Sequence, residues 1–210
     1  MRIIGKAPSE ANPTMCASCT TFLSRHHGGA EVEGSMLFAD VRGSTSLAES
    51  MTPAAYRKLL DRFYSTASAA VFRHDGAIDK FVGDEVVAFF FPMLAGQRHA
   101  EQAVAAARAL LAETGHADPA GPWIALGAGV TSGTVWFGAV GEGSHVELTA
   151  LGDEVNVAAR LASAAGVGEV LVTTPAAEAA GVPTEGAERR TLELKGKHEA
   201  TDVVVLHVGP

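Results

Sequence analysis

The spacing of apolar and polar positions changes along the chain, and this pattern predicts where strands and helices lie. Residues 1–34 contain Gly, Pro and Ser and have little periodicity, which indicates an N-terminal arm with a short helix over 20–26. The character changes at Ser35. The apolar run 36–41 leads into a polar Arg-Gly-Ser-Thr turn, so it is predicted to be a buried strand.

Three later segments carry apolar residues at helical spacing. The first covers 53–74, where Thr52 is suited to the N-cap position and Pro53 to the first helical position. The second and third cover 99–114 and 152–165. Each is predicted to be an amphipathic helix with one buried face.

Short apolar runs between turn signals predict the remaining strands. Gly83-Asp84 joins two of them as a hairpin. The predicted strands cover 77–82, 85–91, 123–131, 135–140, 169–173 and 202–208. The order strand, helix, strand, strand, helix, strand, with additions, indicates an α+β fold of the ferredoxin-like βαββαβ type. We expect helices over one face of a mainly antiparallel sheet.

Composition narrows the class of protein. The chain has 210 residues, of which 47% are hydrophobic and 19% charged, so a packed core is expected. A net charge of −8 disfavours non-specific nucleic-acid binding, which depends on neutralising phosphates. No apolar run approaches the roughly 20 residues that span a bilayer, and residues 1–10 do not resemble a signal peptide. We therefore expect a cytoplasmic protein, with no nucleic-acid partner and no membrane segment within this chain.

The arm contains both cysteines of the chain, Cys16 and Cys19, followed by His26 and His27. Two cysteines this close together are not a disulfide framework. A Cys-x-x-Cys pair with nearby histidines can bind zinc, although no second well-spaced pair accompanies it. A packing or regulatory role is the alternative interpretation.

Two acidic residues are candidates for metal chemistry. Asp40 ends the first strand, before Gly43, Ser44 and Thr45, whose backbone amides could hold phosphate oxygens. Asp84 lies at the tip of the hairpin. Each position alone also suits a turn aspartate. If the hairpin pairs beside the first strand, however, the two carboxylates meet, and Mg²⁺ or Mn²⁺ would offset their repulsion.

Two further positions carry groups suited to a nucleotide. Asn156 and Arg160 are four residues apart on a predicted helix with apolar neighbours, so they share a face and require polar partners. An Arg fork suits phosphate oxygens, and an Asn amide suits a ribose. Lys195 lies in a basic turn, where it is either a surface residue or a charge for a triphosphate.

The order of these motifs is more specific than any one of them. They are Phe-Ala-Asp-Val-Arg-Gly-Ser-Thr, Lys-Phe-Val-Gly-Asp-Glu, Leu-Gly-Asp-Glu-Val-Asn-Val-Ala-Ala-Arg-Leu and Leu-Lys-Gly-Lys. Together they resemble the class III adenylate/guanylate cyclase catalytic domain over about residues 35–208. The resemblance implies the class III cyclase fold and a nucleotide cyclase catalytic domain over 35–210, after an arm over 1–34.

The resemblance also implies a two-metal reaction on ATP. In that family the motif aspartates, here Asp40 and Asp84, hold two Mg²⁺ or Mn²⁺ ions, and the backbone carbonyl of Val41 is expected to join them. The ribose 3′-hydroxyl attacks the α-phosphate in line, and pyrophosphate leaves. The family's transition-state pair and triphosphate lysine are matched here by Asn156, Arg160 and Lys195.

The resemblance assigns base selection to two residues. The family's base-reading lysine matches Lys80, and its partner position matches Thr149. An ammonium only donates, which suits adenine N1 and opposes guanine N1, and a hydroxyl can accept from the adenine N6 amine. This Lys–Thr pair favours ATP and is similar to the subgroup that includes bicarbonate-responsive cyclases. The loop 141–147 lacks the Arg or Lys that many members have there, and His145 and Arg42 are the two candidates to replace it.

The family works as a head-to-tail dimer whose subunits contribute different halves of each site. This chain carries both halves, so the resemblance implies a homodimer with sites at its interface. Three alternatives compete with adenylate cyclase: a guanylate cyclase, a diguanylate cyclase and a non-catalytic regulatory domain. The second lacks counterparts of Asn156, Arg160 and Lys195. The third usually lacks a metal aspartate or the transition-state pair.

Overall fold

Eight strands and seven α-helices form the part of the chain that the computed structural model describes, residues 7–9, 12–26, 28–142, 145–194, 197 and 199–209. The strands are β1 (Gly29–Val41), β2 (Ala77–Val82), β3 (Glu85–Phe90), β4 (Leu126–Glu142), β5 (His145–Leu151), β6 (Glu169–Thr173), β7 (Arg189–Leu192) and β8 (Thr201–His207). The helices are α1 (Ala17–His26), α2 (Ser44–Ser50), α3 (Pro53–Arg73), α4 (Pro92–Ala95), α5 (His99–Glu113), α6 (Asp153–Ala164) and α7 (Thr174–Ala179), with a 3₁₀ turn at Gly96–Arg98.

The sheet has the order β2-β3-β1-β4-β6-β8-β7, and β5 pairs with β4 off this path. All its strand pairs are antiparallel except β4 with β6. The first four strands, connected by α3 and α5, give the spatial order β2-β3-β1-β4. This is the predicted ferredoxin-like βαββαβ arrangement, extended by further strands.

Strand β1 lies at the centre of the sheet and separates two cores. Leu37 and Ala39 face a cluster that includes residues of α3 and α5, whereas Met36 and Phe38 face a second cluster. The alternation follows from the two-residue period of a strand. Because side chains on both faces of β1 are buried, the strand is a continuous apolar run in the sequence.

The prediction that the helices cover one face is right for α3 and α5 and wrong for α6. Ala158 and Ala162 of α6 pack in the second cluster, opposite α3 and α5. The buried stripe of α6 also includes Val157 and Leu161, which contact strands β6 and β8 on that face. A helical period predicts that one face is buried, but not which side of a sheet receives it.

Strand β4 corrects the prediction of two strands over 123–131 and 135–140. It is one continuous strand, and Gly133, in the supposed gap, pairs with Gly34 of β1. Strand β1 itself begins at Gly29 rather than at residue 36, so it offers hydrogen-bonding partners along most of β4. Strand β5, which was not predicted, pairs with the end of β4.

The N-terminal arm is fastened to β2 by side-chain hydrogen bonds. The Asn12 amide nitrogen donates to the carbonyl oxygen of Ile78 at 2.8 Å, and the Ile78 amide donates back to Asn12 at 2.7 Å. The Thr14 hydroxyl donates to the carbonyl oxygen of Gly76 at 2.9 Å. The arm therefore occupies hydrogen-bonding groups of an edge strand. Among the described residues, no helix has the length and apolar character required to cross a bilayer.

Candidate active site

The ends of two neighbouring strands bring Asp40 and Asp84 together. Strands β1 and β3 pair with Asp40 opposite Glu85, so the hairpin tip lies beside the end of β1. The Val41 amide donates to the carbonyl oxygen of Asp84 at 3.3 Å, and the two carboxylates are close enough for the charge of Asp84 to raise the pKa of Asp40. The proximity expected from the sequence is therefore present.

Negative charge is concentrated around the acidic pair. Burial raises the pKa of Asp40; Arg42 opposes this shift, and the charge of Asp84 adds to it. Burial, with the charges of Asp40 and Asp84, raises the pKa of Glu85 to about 7. Three acids share this site with one arginine, and such an excess of negative charge favours cation binding. Sequence reasoning did not single out Glu85.

Arg42 is engaged within the chain. Its guanidinium forms an ion pair with Asp40 and donates to the carbonyl oxygens of Ser163, at 2.9 Å, and Ala165, at 3.2 Å. These carbonyls lie at the C-terminal end of α6, which attracts cations. Arg42 thus holds the end of β1 against α6, and this leaves it poorly placed to replace the missing basic residue of loop 141–147. The side chain of His145 lies outside the described residues.

Helix α3 supports the hairpin tip that carries Asp84. The Tyr64 hydroxyl donates to the carbonyl oxygen of Gly83, and the Tyr64 ring stacks on Phe81 with centroids 4.3 Å apart. Gly83 has a φ of 61°, in the region that favours glycine. Tyr64 is a supporting residue that the motif pattern did not reveal.

The predicted polar turn after β1 is the start of a helix. Gly43, with a φ of 70°, occupies the N-cap position of α2, and Ser44 is the first helical residue. The amides of Ser44 and Thr45 consequently have no partner four residues earlier within the helix. They remain suited to the predicted role of binding phosphate oxygens.

Lys80 and Thr149 lie in two neighbouring polar pairs that join β2 to β5. The Lys80 ammonium is 2.5 Å from a carboxylate oxygen of Glu147, and the Thr149 hydroxyl donates to Asp79 at 2.8 Å. Glu147 and Thr149 are two residues apart on β5, so they project to one face. The sequence indicated Lys80 and Thr149 but not their partners.

A β-bulge explains how consecutive residues of β2 reach the same face. The register with β3 shifts between Ile78 and Lys80, which leaves Asp79 as the extra residue. Strict alternation would place Lys80 on the face of Ile78, beneath the helices. The inserted residue redirects Lys80 toward Glu147, beside Asp79.

Asn156 and Arg160 share the outer side of α6. Asn156 is exposed and Arg160 half-buried, so the expectation that apolar neighbours surround them is wrong: the apolar residues form the opposite stripe. Neither side chain has a hydrogen bond or ion pair with any described residue. No such contact links them, or Lys80 and Thr149, to the acidic pair. Lys195 lies outside the described residues.

The donor set at the acidic pair fits divalent cations. Carboxylate oxygens are hard ligands, and two of them leave coordination positions for substrate phosphates. No group of three or more His, Cys, Asp or Glu side chains in the described chain could enclose a metal by itself. A zinc site in the arm stays a prediction, since His27 is outside the described residues.

The chain matches the family model described as the adenylate and guanylate cyclase catalytic domain over residues 30–207. An adenylate cyclase from Anabaena cylindrica is 30% identical over 185 residues, 80% of this chain and 35% of that protein. The fold is similar to the guanylyl cyclase Cya2, with a TM-score of 0.74 and 27% identity over 87% of this chain and 95% of that one. It is also similar to the adenylyl cyclase CyaB from P. aeruginosa, with a TM-score of 0.73 and 26% identity over 86% and 97%.

The chain is shorter than the curated relatives that it resembles. It spans 22% to 35% of their length. The two similar structures, in contrast, are covered almost completely. The shared part therefore corresponds to the catalytic domain that the family model describes.

Proposed function

The chain belongs to the adenylate and guanylate cyclase catalytic domain family, and we propose that it converts ATP to 3′,5′-cyclic AMP and pyrophosphate. The observation that carries the proposal is the proximity of Asp40 and Asp84 at adjacent strand ends, which the pairing of Asp40 with Glu85 and the hydrogen bond from Val41 to Asp84 produce. Such a pair of carboxylates is suited to the divalent ions that cyclases use.

Asp40 and Asp84, with the backbone carbonyl of Val41, would hold two Mg²⁺ or Mn²⁺ ions. When bound, these ions make the ribose 3′-hydroxyl a better nucleophile and neutralise charge on the phosphates. Arg42 and Tyr64 keep the two aspartates in position. The backbone amides at Gly43, Ser44 and Thr45 would donate to phosphate oxygens.

The remaining catalytic work is assigned to side chains outside the acidic pair. Asn156 would orient the ribose, and Arg160 would donate to the charge that develops on the α-phosphate as its bond to the 3′-oxygen forms. Lys195 would bind the triphosphate. Removing one such donor should lower the rate on the order of 10²–10³-fold.

Two residues support ATP as the substrate. Glu147 accepts from one N–H of the Lys80 ammonium, which leaves others for adenine N1. Thr149, which is hydrogen-bonded to the neighbouring residue Asp79, would accept from the N6 amine of the same base. Guanine would present a donor at N1 to a group that only donates.

The separation of the two residue sets supports a homodimer. In the described chain, no hydrogen bond or ion pair joins the acidic pair to Asn156 or Arg160. A second copy related by two-fold symmetry would supply the missing half to each site. Three exposed apolar side chains lie near these two sets in the sequence: Phe81 and Val82 before Asp84, and Leu151 before α6. Exposed apolar side chains of this kind suit a surface that a partner covers.

The experiment that tests the proposal measures cyclic nucleotide and pyrophosphate from ATP, with Mg²⁺ or Mn²⁺ and with EDTA as a blank. Asp40→Ala and Asp84→Ala should each lose about 10² or more in turnover while the far-UV spectrum is unchanged. Asp61→Ala, on the exposed side of α3, is the matched control. Near-wild-type turnover in either active-site variant would refute the two-metal assignment.

Guanylate cyclase is the second candidate function, because the similar structure Cya2 is a guanylyl cyclase. Guanine O6 would require a donor, which the Thr149 hydroxyl supplies only when it gives up its hydrogen bond to Asp79. Parallel assays with GTP distinguish the two substrates. Comparable kcat/KM values for GTP and ATP would overturn the base-reading roles of Lys80 and Thr149 and leave cyclisation itself intact.

A further inference from the structure

The hydroxyl of Thr149 is not free to choose its orientation. Thr149 is buried, with 8% of its surface exposed, and its hydroxyl oxygen lies 2.8 Å from a carboxylate oxygen of Asp79. An ionised carboxylate accepts hydrogen bonds and cannot donate, so the single hydroxyl proton must point at Asp79. The lone pairs of the Thr149 oxygen are left for a ligand.

This orientation determines which base the site accepts. The adenine N6 amine donates and therefore pairs with an oxygen that presents lone pairs. Guanine O6 would meet the same oxygen acceptor to acceptor. The β-bulge at Asp79 produces this arrangement, because it lets two consecutive residues of β2, Asp79 and Lys80, both contact side chains of β5.

We propose that Asp79 is the positioning residue for base selection: it holds Thr149 as an obligate hydrogen-bond acceptor and so makes the site select adenine. The inference rests on the proposed cyclase function. Asp79 acts through Thr149 and is not assigned any contact with the substrate.

The surroundings of Asp79 fit this role better than a purely structural one. Its second carboxylate oxygen is buried and has no hydrogen-bond partner among the described residues. Burial raises the pKa of Asp79, while the Thr149 hydrogen bond and the Lys80 charge oppose the shift. A half-satisfied buried carboxylate destabilises a fold, so its presence is explained by what it does to Thr149.

The decisive variant is Asp79→Asn. The asparagine amide can donate to the Thr149 oxygen, which lets the hydroxyl rotate and donate to guanine O6. Initial rates with ATP and GTP should show the ratio of their kcat/KM values falling by about tenfold or more. The melting temperature of Asp79→Asn should stay the same or rise. If Asp79 had only a structural role, the variant would have an unchanged ratio and a lower melting temperature.

Thr149→Val supplies an independent test and the matched background. Without the hydroxyl, discrimination between ATP and GTP should fall, and adding Asp79→Asn should change the ratio no further. An unchanged ratio in either single variant overturns the inference, as does an equal effect of Asp79→Asn in the Thr149→Val background. If Asp79→Asn does not fold, Asp79→Ala carries the same test, because it also removes the acceptor that orients the Thr149 hydroxyl.

The outcomes separate this inference from the proposed function. Wild-type protein that forms no cyclic nucleotide defeats the function itself. Wild-type protein that prefers ATP, with an unchanged ratio in Asp79→Asn, defeats only the role of Asp79. Dissociation constants for non-cyclisable ATP and GTP analogues provide a readout without turnover, and they should converge in Asp79→Asn.

Discussion

Replacing Glu85 with glutamine tests the electrostatics of the acidic pair. Burial and the charges of Asp40 and Asp84 raise the pKa of Glu85 from 4.5 to about 7. An acid whose pKa is raised by folding destabilises the folded state once the unfolded chain has lost its proton. In metal-free protein this penalty is small below pH 4.5, grows until about pH 7 and is constant above it.

The size of the effect follows from the shift. If the whole pKa shift of Glu85 counted against stability, it would lower the free energy of unfolding by about 3 kcal/mol. Glu85 is only half-buried, so solvent screens the repulsion and we expect about 1–2 kcal/mol. Glutamine has nearly the same shape and no charge. Glu85→Gln should therefore be more stable than wild type by that amount near pH 8, and almost equal to it near pH 4.5.

The assay is urea unfolding at the two pH values in EDTA. Glu49→Gln, exposed on α2, is the control and should change stability at neither pH. Mg²⁺ should stabilise the wild-type protein at pH 8, because a cation offsets the same repulsion. An identical difference between Glu85→Gln and wild type at both pH values, or a less stable variant at pH 8, would refute the reasoning.

Three further predictions concern activity. Tyr64→Phe keeps the ring against Phe81 and loses the hydrogen bond to Gly83, so kcat should fall about tenfold while the melting temperature moves a few degrees; an unchanged kcat would remove the supporting role. Lys80→Glu should lower kcat/KM for ATP about tenfold or more in initial-rate assays, because a carboxylate cannot donate to adenine N1; an unaltered value would contradict it. Bicarbonate should raise turnover at fixed pH and ionic strength, and a flat response would count against the bicarbonate-responsive subgroup.

The central fold could be predicted from the sequence because its elements have clear local periods. The βαββαβ order follows from the apolar run of β1, the helical spacing of α3 and α5, and the Gly83-Asp84 turn. The length of β4 could not be predicted, since the pairing of Gly133 with Gly34 depends on a distant strand. Strand β5 was missed because residues 141–147 were interpreted as a loop, although β5 pairs with the strand directly before it. Helix α6 was placed on the wrong face because a helical period does not show which side of a sheet the helix covers.

The candidate site was predictable only where a motif names a residue. Asp40 and Asp84 stand in such motifs, and the structure brings them together. Their supporting residues, Glu85 and Tyr64, carry no signal of their own in the sequence. Asp79 meets Thr149 across 70 positions and a β-bulge. A bulge has no marker in this strand, so the contact required the structure.

The measurement that tests the central claim most directly is cyclic AMP formation by a mixture of Asp40→Ala and Arg160→Ala proteins. Each should be inactive alone, because both sites of its dimer lack an essential group. Random exchange makes half of the dimers mixed, and each mixed dimer holds one intact site, so the mixture should reach about a quarter of wild-type activity. Activity that stays at the sum of the two separate proteins, after exchange has been demonstrated with labelled subunits, would contradict ATP cyclisation at a site shared between two copies.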